Sequence, residues 1–129
     1  MGGYVELPGV LIHRIGLRRI CLTSYQERVR EFYREKRGTL PTLDEAVEYM
    51  EEEIEELTDG HETIESFLKE AADVMFTLYG VCEVLGVDLD DAFIKVCESN
   101  MTKEFTESGK VSKGAMYRAP DLSGSRIRS

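Results

Sequence analysis

Residues Ala71 to Val87 constrain the fold more than any other stretch of the chain. They read AADVMFTLYGVCEVLGV, and only Asp73 and Glu83 among them are charged. A helix built from this stretch is apolar on nearly every side, so other helices have to cover it. The pattern therefore predicts a helix at the centre of a bundle.

Helix start and stop signals predict three further helices. Thr42 and Glu45 have the spacing of a capping box, in which each side chain accepts a hydrogen bond from the other residue's backbone. Gly86 suits the left-handed position that ends many helices. No strand pattern is evident, so we predict an all-α four-helix bundle with antiparallel neighbours. The helices are predicted to span Thr23 or Ser24 to Arg37, Thr42 to Thr58, Glu62 to Leu85, and Asp88 to about Lys103.

The domain limits follow from where these helical patterns begin and end. Residues 1–22 have only a weak apolar pattern, broken by a proline and several glycines, and are interpreted as an N-terminal arm. Residues 23–122 form the single domain that a chain of this length predicts. Residues 123–129 are interpreted as a flexible tail.

Cysteine use and hydropathy indicate a cytoplasmic protein. No apolar run approaches the length of a membrane span. Cys82 and Cys97 lie in apolar helical patterns and have no CxxC spacing, so we interpret them as reduced thiols in the core.

Charge is distributed unevenly along the chain. The formal net charge of −9 argues against binding to a nucleic-acid backbone. Twelve acids and one base, Lys69, lie between Thr42 and Glu70, whereas the flanking regions are rich in Lys and Arg. This pattern fits either a long solvated face or a metal site with phosphate-binding arms.

Four carboxylates stand out within the acidic region. Glu53 and Glu56 have i, i+3 spacing beside an apolar seam, and Glu70 and Asp73 repeat that spacing where the apolar helix begins. Lys69 is expected to lie on a different part of the helix surface. An unpaired Asp73 would be costly to bury, since burial disfavours the charged form of a carboxylate.

A divalent cation would make the convergence of these carboxylates tolerable. All-oxygen ligation selects Mg²⁺, with Mn²⁺ as a substitute, over zinc. The alternative is a solvated helix face, which we expect for Glu51 and Glu55. Spacing alone leaves both interpretations open.

The sequence resembles a known family when these motifs are taken in order. EEIEEL, EAADVMFTLYGVCEVLGVDL, CESNMTK and GKVSKGAMYRAPDL together are similar to the all-α nucleoside triphosphate pyrophosphohydrolases. The likeness is to the MazG-like and phosphoribosyl-ATP-pyrophosphohydrolase-like branch found in bacteria and phages. It covers roughly Ser24 to Leu122 and implies Mg²⁺-dependent hydrolysis of a nucleoside triphosphate to the monophosphate and pyrophosphate.

The resemblance implies a role for each matching acid. Glu52 matches the position proposed to activate the attacking water. Glu52 and Glu55 also have ExxE spacing, but the family block ends on a leucine, which is Leu57 here and places Glu56 in the motif. The implied metal ligands are Glu53, Glu56, Glu70 and Asp73.

The resemblance also implies contacts to the substrate. Asn100 and Lys103 match the SNMxK positions that face the phosphates or the sugar in relatives. Lys110, Lys113 and Tyr117 fall in the closing segment, which in relatives folds over the nucleotide. The implied substrate-binding residues are Asn100, Lys103, Lys110, Lys113 and Tyr117.

Partners and alternatives complete these expectations. Four helices leave an apolar face uncovered, so the bundle is predicted to be completed in a homodimer or homotetramer. The expected substrates are deoxynucleotides, with dUTP or dGTP as the first candidates. The expected location is the cytoplasm, or the host cytoplasm if a phage encodes the protein. Phosphoribosyl-ATP pyrophosphohydrolysis and a non-catalytic acidic helical adaptor are the alternatives.

Overall fold

The computed structural model describes residues 24–126, in which four helices precede a short hairpin. The all-α prediction is confirmed, whereas the predicted N-terminal arm lies outside the described residues. The predicted domain limits stay a prediction. The elements are α1 (Tyr25–Lys36), α2 (Leu43–Thr58), α3 (Ile64–Leu85), α4 (Leu89–Asn100), β1 (Glu104–Phe105) and β2 (Val111–Ser112).

The helix ends follow local capping chemistry. The predicted capping box of Thr42 and Glu45 is present at the start of α2. α3 ends at Gly86, whose φ of 71° is the left-handed conformation that glycine adopts readily. α4 is shorter than predicted because the chain leaves the helix at Met101 and turns, with the Lys103 N–H donating to the Asn100 carbonyl.

Aromatic packing holds α1 against α3. Val29 and Tyr33 of α1 are buried with Tyr79 of α3, and Phe76 packs against this group. Gly80 lies beside the Tyr33 ring, where an added Cβ would come within 3.3 Å of the Tyr33 hydroxyl. α2 packs on α3 more extensively than any other pair of elements does.

A buried polar cluster fastens α1 to the junction of α3 and α4. The Gln26 amide donates to a Glu83 carboxylate oxygen and to the Val87 carbonyl, both at 2.8 Å, and its oxygen accepts the Leu89 N–H at 2.8 Å. Arg30 donates two hydrogen bonds to Glu83, at 2.8 and 3.0 Å. Glu83, one of the two charged residues in the apolar stretch, is therefore paired on both oxygens.

The apolar surface of α3 and α4 is only partly covered within one chain. α3 contacts α1 and α2, yet Met75, Leu78 and Leu85 stay exposed. Phe93 and Ile94 on α4 are also exposed. An uncovered apolar face was expected, and the oligomer that would cover it stays a prediction.

The residues after α4 differ from the prediction. Two short strands that the sequence pattern did not indicate, β1 and β2, pair antiparallel, with Glu104 opposite Ser112. Gly109, with φ of 85°, lies in the connecting turn. Two-residue strands are too short to show the alternation by which strands are detected in a sequence. Further on, Ser125 is buried, and its carbonyl accepts the Asp88 N–H at 2.7 Å.

Two further features are the exposure of the cysteines and the hydropathy of the helices. Cys82 is buried and free as predicted, but the prediction of a core position for Cys97 was wrong, since α4 exposes it. Among residues 24–126, no helix combines the length and apolar character that crossing a membrane requires.

Candidate metal centre and active site

Three of the predicted ligands converge where α2 packs on α3. Glu53 of α2 meets Glu70 and Asp73 of α3, and one oxygen from each lies within 4.8 Å of the other two. All three side chains are half-buried. The i, i+3 spacing places Glu70 and Asp73 on one helix face. The short loop after α2 folds α3 back along α2, so that this face meets Glu53. We call these three residues the carboxylate cluster.

The carboxylate cluster has the donor set of a hard divalent cation. Its atoms are all carboxylate oxygens, which Mg²⁺ and Mn²⁺ prefer. Glu70 Oε1 is buried and accepts no hydrogen bond from any residue in the described part of the chain. A buried acceptor left without a partner costs about 1–3 kcal/mol, and a cation would satisfy it. The residues therefore fit a metal ion of this type.

Electrostatic repulsion within the cluster agrees with this fit. Burial raises the pKa of Glu53 above its usual value, and the neighbouring carboxylates of Glu56 and Asp73 raise it further. A raised carboxyl pKa is typical of an acid that shares a site with other carboxylates. A bound cation would remove this repulsion.

Glu56 and Glu52 are the other two acids of α2 that the sequence assigns to the active site. Glu56 is exposed and falls outside the group of three converging oxygens, although its carboxylate is close enough to act on Glu53. Glu52, the predicted base, is also exposed, one position before Glu53 on α2. Solvent can reach it, but its role stays a prediction.

The prediction that Lys69 lies on a different part of the helix surface from the carboxylates was wrong. Its ammonium is 2.8 Å from Asp73 Oδ2 and 3.5 Å from Glu70 Oε1, so it lies on the face of the carboxylate cluster. The hydrogen bond to Asp73 raises the pKa of Lys69. The i, i+4 spacing of Lys69 and Asp73 is the sequence signal that indicates this contact.

The predicted substrate-binding residues belong to the end of α4 and the segment after it, rather than to α2 and α3. Asn100 is exposed at the last position of α4, and Lys103 is half-buried in the turn that follows. Lys110 and Lys113 are exposed, and the Lys113 ammonium lies 5.1 Å from the centroid of the Tyr117 ring. Within residues 24–126, no ion pair joins any of these lysines to the carboxylate cluster.

Ser99 anchors the closing segment, by which we mean residues 104–122. The buried Ser99 hydroxyl donates to the Arg118 carbonyl at 2.7 Å, and the Arg118 N–H donates to the Thr102 hydroxyl at 2.9 Å. Sequence reasoning selected Asn100 and missed the structural role of Ser99 beside it. A cleft of about 350 Å³ lies between α4 and this segment.

Fold and site together define a class of enzyme. An all-α bundle with carboxylates converging between its second and third helices is the arrangement expected of the all-α nucleoside triphosphate pyrophosphohydrolases. The family model described as phosphoribosyl-ATP pyrophosphohydrolase matches residues 17–100, about two-thirds of the chain. The chain belongs to this family, within the MazG-like superfamily. No curated protein matches the chain.

Family membership confirms the predicted resemblance and the enzyme class. The protein is a hydrolase that acts on the pyrophosphate bonds of nucleotides. This assignment favours the enzyme over the helical adaptor. The matched residues include the whole carboxylate cluster but end at Asn100, before Lys103, Lys110 and Lys113.

Proposed function

We propose that the protein is a Mg²⁺-dependent nucleoside triphosphate pyrophosphohydrolase that acts on deoxynucleotides in the cytoplasm, dUTP or dGTP first. The observation that carries the proposal is the convergence of Glu53, Glu70 and Asp73, with one buried Glu70 oxygen lacking a hydrogen-bond donor in the described chain. Glu56 is the fourth proposed ligand, and its exposed side chain would change conformation to reach the metal. Mn²⁺ is expected to replace Mg²⁺.

In the proposed mechanism, the metal and Glu52 have separate roles in hydrolysis. A bound Mg²⁺ supplies neutralisation of phosphate charge. Glu52 accepts a proton from the water whose oxygen attacks the α-phosphorus. The bond from that phosphorus to the bridging oxygen breaks, and pyrophosphate leaves. Glu52 suits a general base because it is exposed to water and stands one position before Glu53 on α2.

The lysines after α4 are proposed to bind the outer phosphates. Lys103 is half-buried, whereas Lys113 is held over the Tyr117 ring, which favours a cation through its electron-rich face. Asn100 and Lys110 complete the proposed set. In this proposal the triphosphate contacts the metal at the carboxylate cluster and these lysines at its outer phosphates.

Loss of either lysine predicts weaker substrate binding. Lys103→Ala and Lys113→Ala should each raise KM about tenfold, on the order of one charge-assisted hydrogen bond, and leave the helical fold intact. Steady-state kinetics and circular dichroism measure both effects. Lys36→Ala, at the end of α1, is the matched control and should leave KM unchanged. Unchanged KM values in both variants would remove these lysines from the site.

Phosphoribosyl-ATP is the second candidate substrate, because the matching family model carries that name. Deoxynucleotides are placed first because the SNMTK and GKVSKG segments resemble the phage-type branch of the superfamily, and these segments lie at or beyond the end of the match. The two candidates share the same α–β bond cleavage. They differ only in the part of the substrate beyond the triphosphate, which the pocket must recognise.

A substrate panel separates the two candidates. Pyrophosphate release is measured for the common NTPs, the dNTPs and phosphoribosyl-ATP under the same Mg²⁺ concentration. The proposal expects the highest kcat/KM for dUTP or dGTP. A higher value for phosphoribosyl-ATP would establish the second candidate and reject the first.

The exposed apolar face is proposed to be covered by further copies of the chain. A single Leu85→Glu substitution on α3, where the side chain is 54% exposed, should shift the sedimentation profile from dimer or tetramer towards monomer. Leu40→Glu, in the loop after α1, is the control and should leave the assembly unchanged. A wild-type protein that sediments as a monomer at tens of micromolar would contradict the prediction.

A further inference from the structure

One basic side chain already contacts the carboxylate cluster. Lys69 pairs with Asp73 Oδ2 at 2.8 Å, a hydrogen-bonding distance, and with Glu70 Oε1 at 3.5 Å, which is too long for a good hydrogen bond. Glu70 Oε1 is the buried oxygen without a donor. The ammonium therefore offsets part of the negative charge of the cluster but leaves one of its oxygens without a good hydrogen bond.

We propose that Lys69 is a built-in counter-cation that a divalent metal must displace, so that metal binding is an exchange of one cation for another. The inference rests on the proposed metal site and adds a residue to it. The ammonium and the metal compete for the same oxygens of Glu70 and Asp73. They also repel each other, so both do not occupy the cluster together.

The burial of the three side chains favours such an exchange. The Lys69 side chain is 70% exposed, whereas Glu70 is 18% and Asp73 is 34% exposed. The lysine reaches the carboxylates from the solvent side on a flexible stem, so it can swing out without disturbing the packing of α3. The carboxylates stay in place between the helices. In the metal-free state Lys69 thus lowers the repulsion among them, and it is released when the metal arrives.

Removal of the lysine charge should strengthen metal binding. The test is a calorimetric titration of the purified, substrate-free protein with Mn²⁺. Lys69→Gln is expected to lower the Mn²⁺ dissociation constant about two- to fivefold, the factor that an exposed ion pair contributes. The same variant should melt earlier without metal and gain more stability from Mn²⁺ than the wild type does.

Two further variants separate competition from a general change in charge. Lys69→Arg keeps the positive charge and should bind Mn²⁺ like the wild type. Lys95→Gln removes a lysine that pairs with Asp91 at 2.9 Å on α4, with the same four-residue separation but away from the cluster, and should also leave the constant unchanged.

The outcomes also distinguish this inference from the proposed function. If Lys69→Gln binds Mn²⁺ no more tightly than the wild type, the exchange is refuted and the metal site stands. The exchange is also refuted, and the metal site retained, if Lys95→Gln gains as much affinity for Mn²⁺ as Lys69→Gln does. If the wild type binds no Mn²⁺ at millimolar concentration, the metal site and the exchange are refuted together.

Discussion

Asp73→Asn is expected to lower kcat/KM for pyrophosphate release by roughly a hundredfold or more, since loss of even an outer-shell partner of a metal ligand costs 10–100-fold. The amide keeps the size of the side chain but removes a charged ligand from the carboxylate cluster. Metal-induced stabilisation should collapse as well. Melting curves with and without Mn²⁺, together with kinetics, measure both effects.

The stability of the metal-free Asp73→Asn protein should stay close to that of the wild type. Repulsion from Glu53 and Glu70 is relieved, but the ion pair with Lys69 is lost, and an exposed pair of this kind is worth at most about 1 kcal/mol. A variant that is inactive yet as stable as the wild type would separate ligand loss from unfolding.

Two glutamates on α2 provide the matched comparison. Glu56→Gln should behave like Asp73→Asn if Glu56 is the fourth ligand, whereas Glu55→Gln, on an exposed position, should retain activity and the response to Mn²⁺. A solvated helix face predicts that all three variants shift stability by only a few tenths of a kcal/mol. Indistinguishable curves with and without Mn²⁺ would mean that the metal site is wrong.

Glu83→Leu is expected to give the largest loss of stability, about 2–4 kcal/mol or roughly 10–20 °C in melting temperature. The substitution removes the shared acceptor of Gln26 and Arg30, and Gln26 is nearly inaccessible to solvent at 2% exposure. Glu31→Leu is the control, because Glu31 forms an exposed ion pair with Arg34. Equal losses in the two variants would contradict a special role for the buried cluster.

The same variant has an expected pH signature. Burial acts to raise the pKa of Glu83, but the hydrogen bonds from Arg30 and Gln26 outweigh burial and hold the pKa below its usual value of 4.5. A carboxyl whose pKa is lowered by folding stabilises the protein above its unfolded value, and that stability is lost as the pH falls through the folded value. The difference in unfolding free energy between wild type and Glu83→Leu should therefore shrink below about pH 4.5. Urea titrations at pH 7 and below pH 4 measure it.

Local signals explain what could be predicted from the sequence. The capping box at Thr42 and the glycine at 86 depend on neighbouring residues only, so the helix limits came out within a few residues. The spacing of Glu70 and Asp73 gave one shared face for the same reason. The pairing of that face with Glu53 needed only the short loop between α2 and α3.

Contacts between distant residues explain what was missed. Glu83 looked like an exception in an apolar stretch, and nothing near it in sequence indicates its partners Gln26 and Arg30, which lie 57 and 53 positions away. Cys97 lies in an apolar pattern, but the face of α4 that carries it is exposed in the single chain. Lys69 differs, because its i, i+4 relation to Asp73 is local and was overlooked.

Identification of the products of hydrolysis shows whether the protein is a metal-dependent pyrophosphohydrolase. The purified protein is incubated with a deoxynucleoside triphosphate and with phosphoribosyl-ATP, with Mg²⁺ or with EDTA, and the phosphorus products are resolved by NMR. We expect one pyrophosphate for each nucleoside monophosphate or phosphoribosyl-AMP formed, and no reaction in EDTA. Release of orthophosphate instead, or pyrophosphate release that EDTA leaves unchanged, would contradict this expectation.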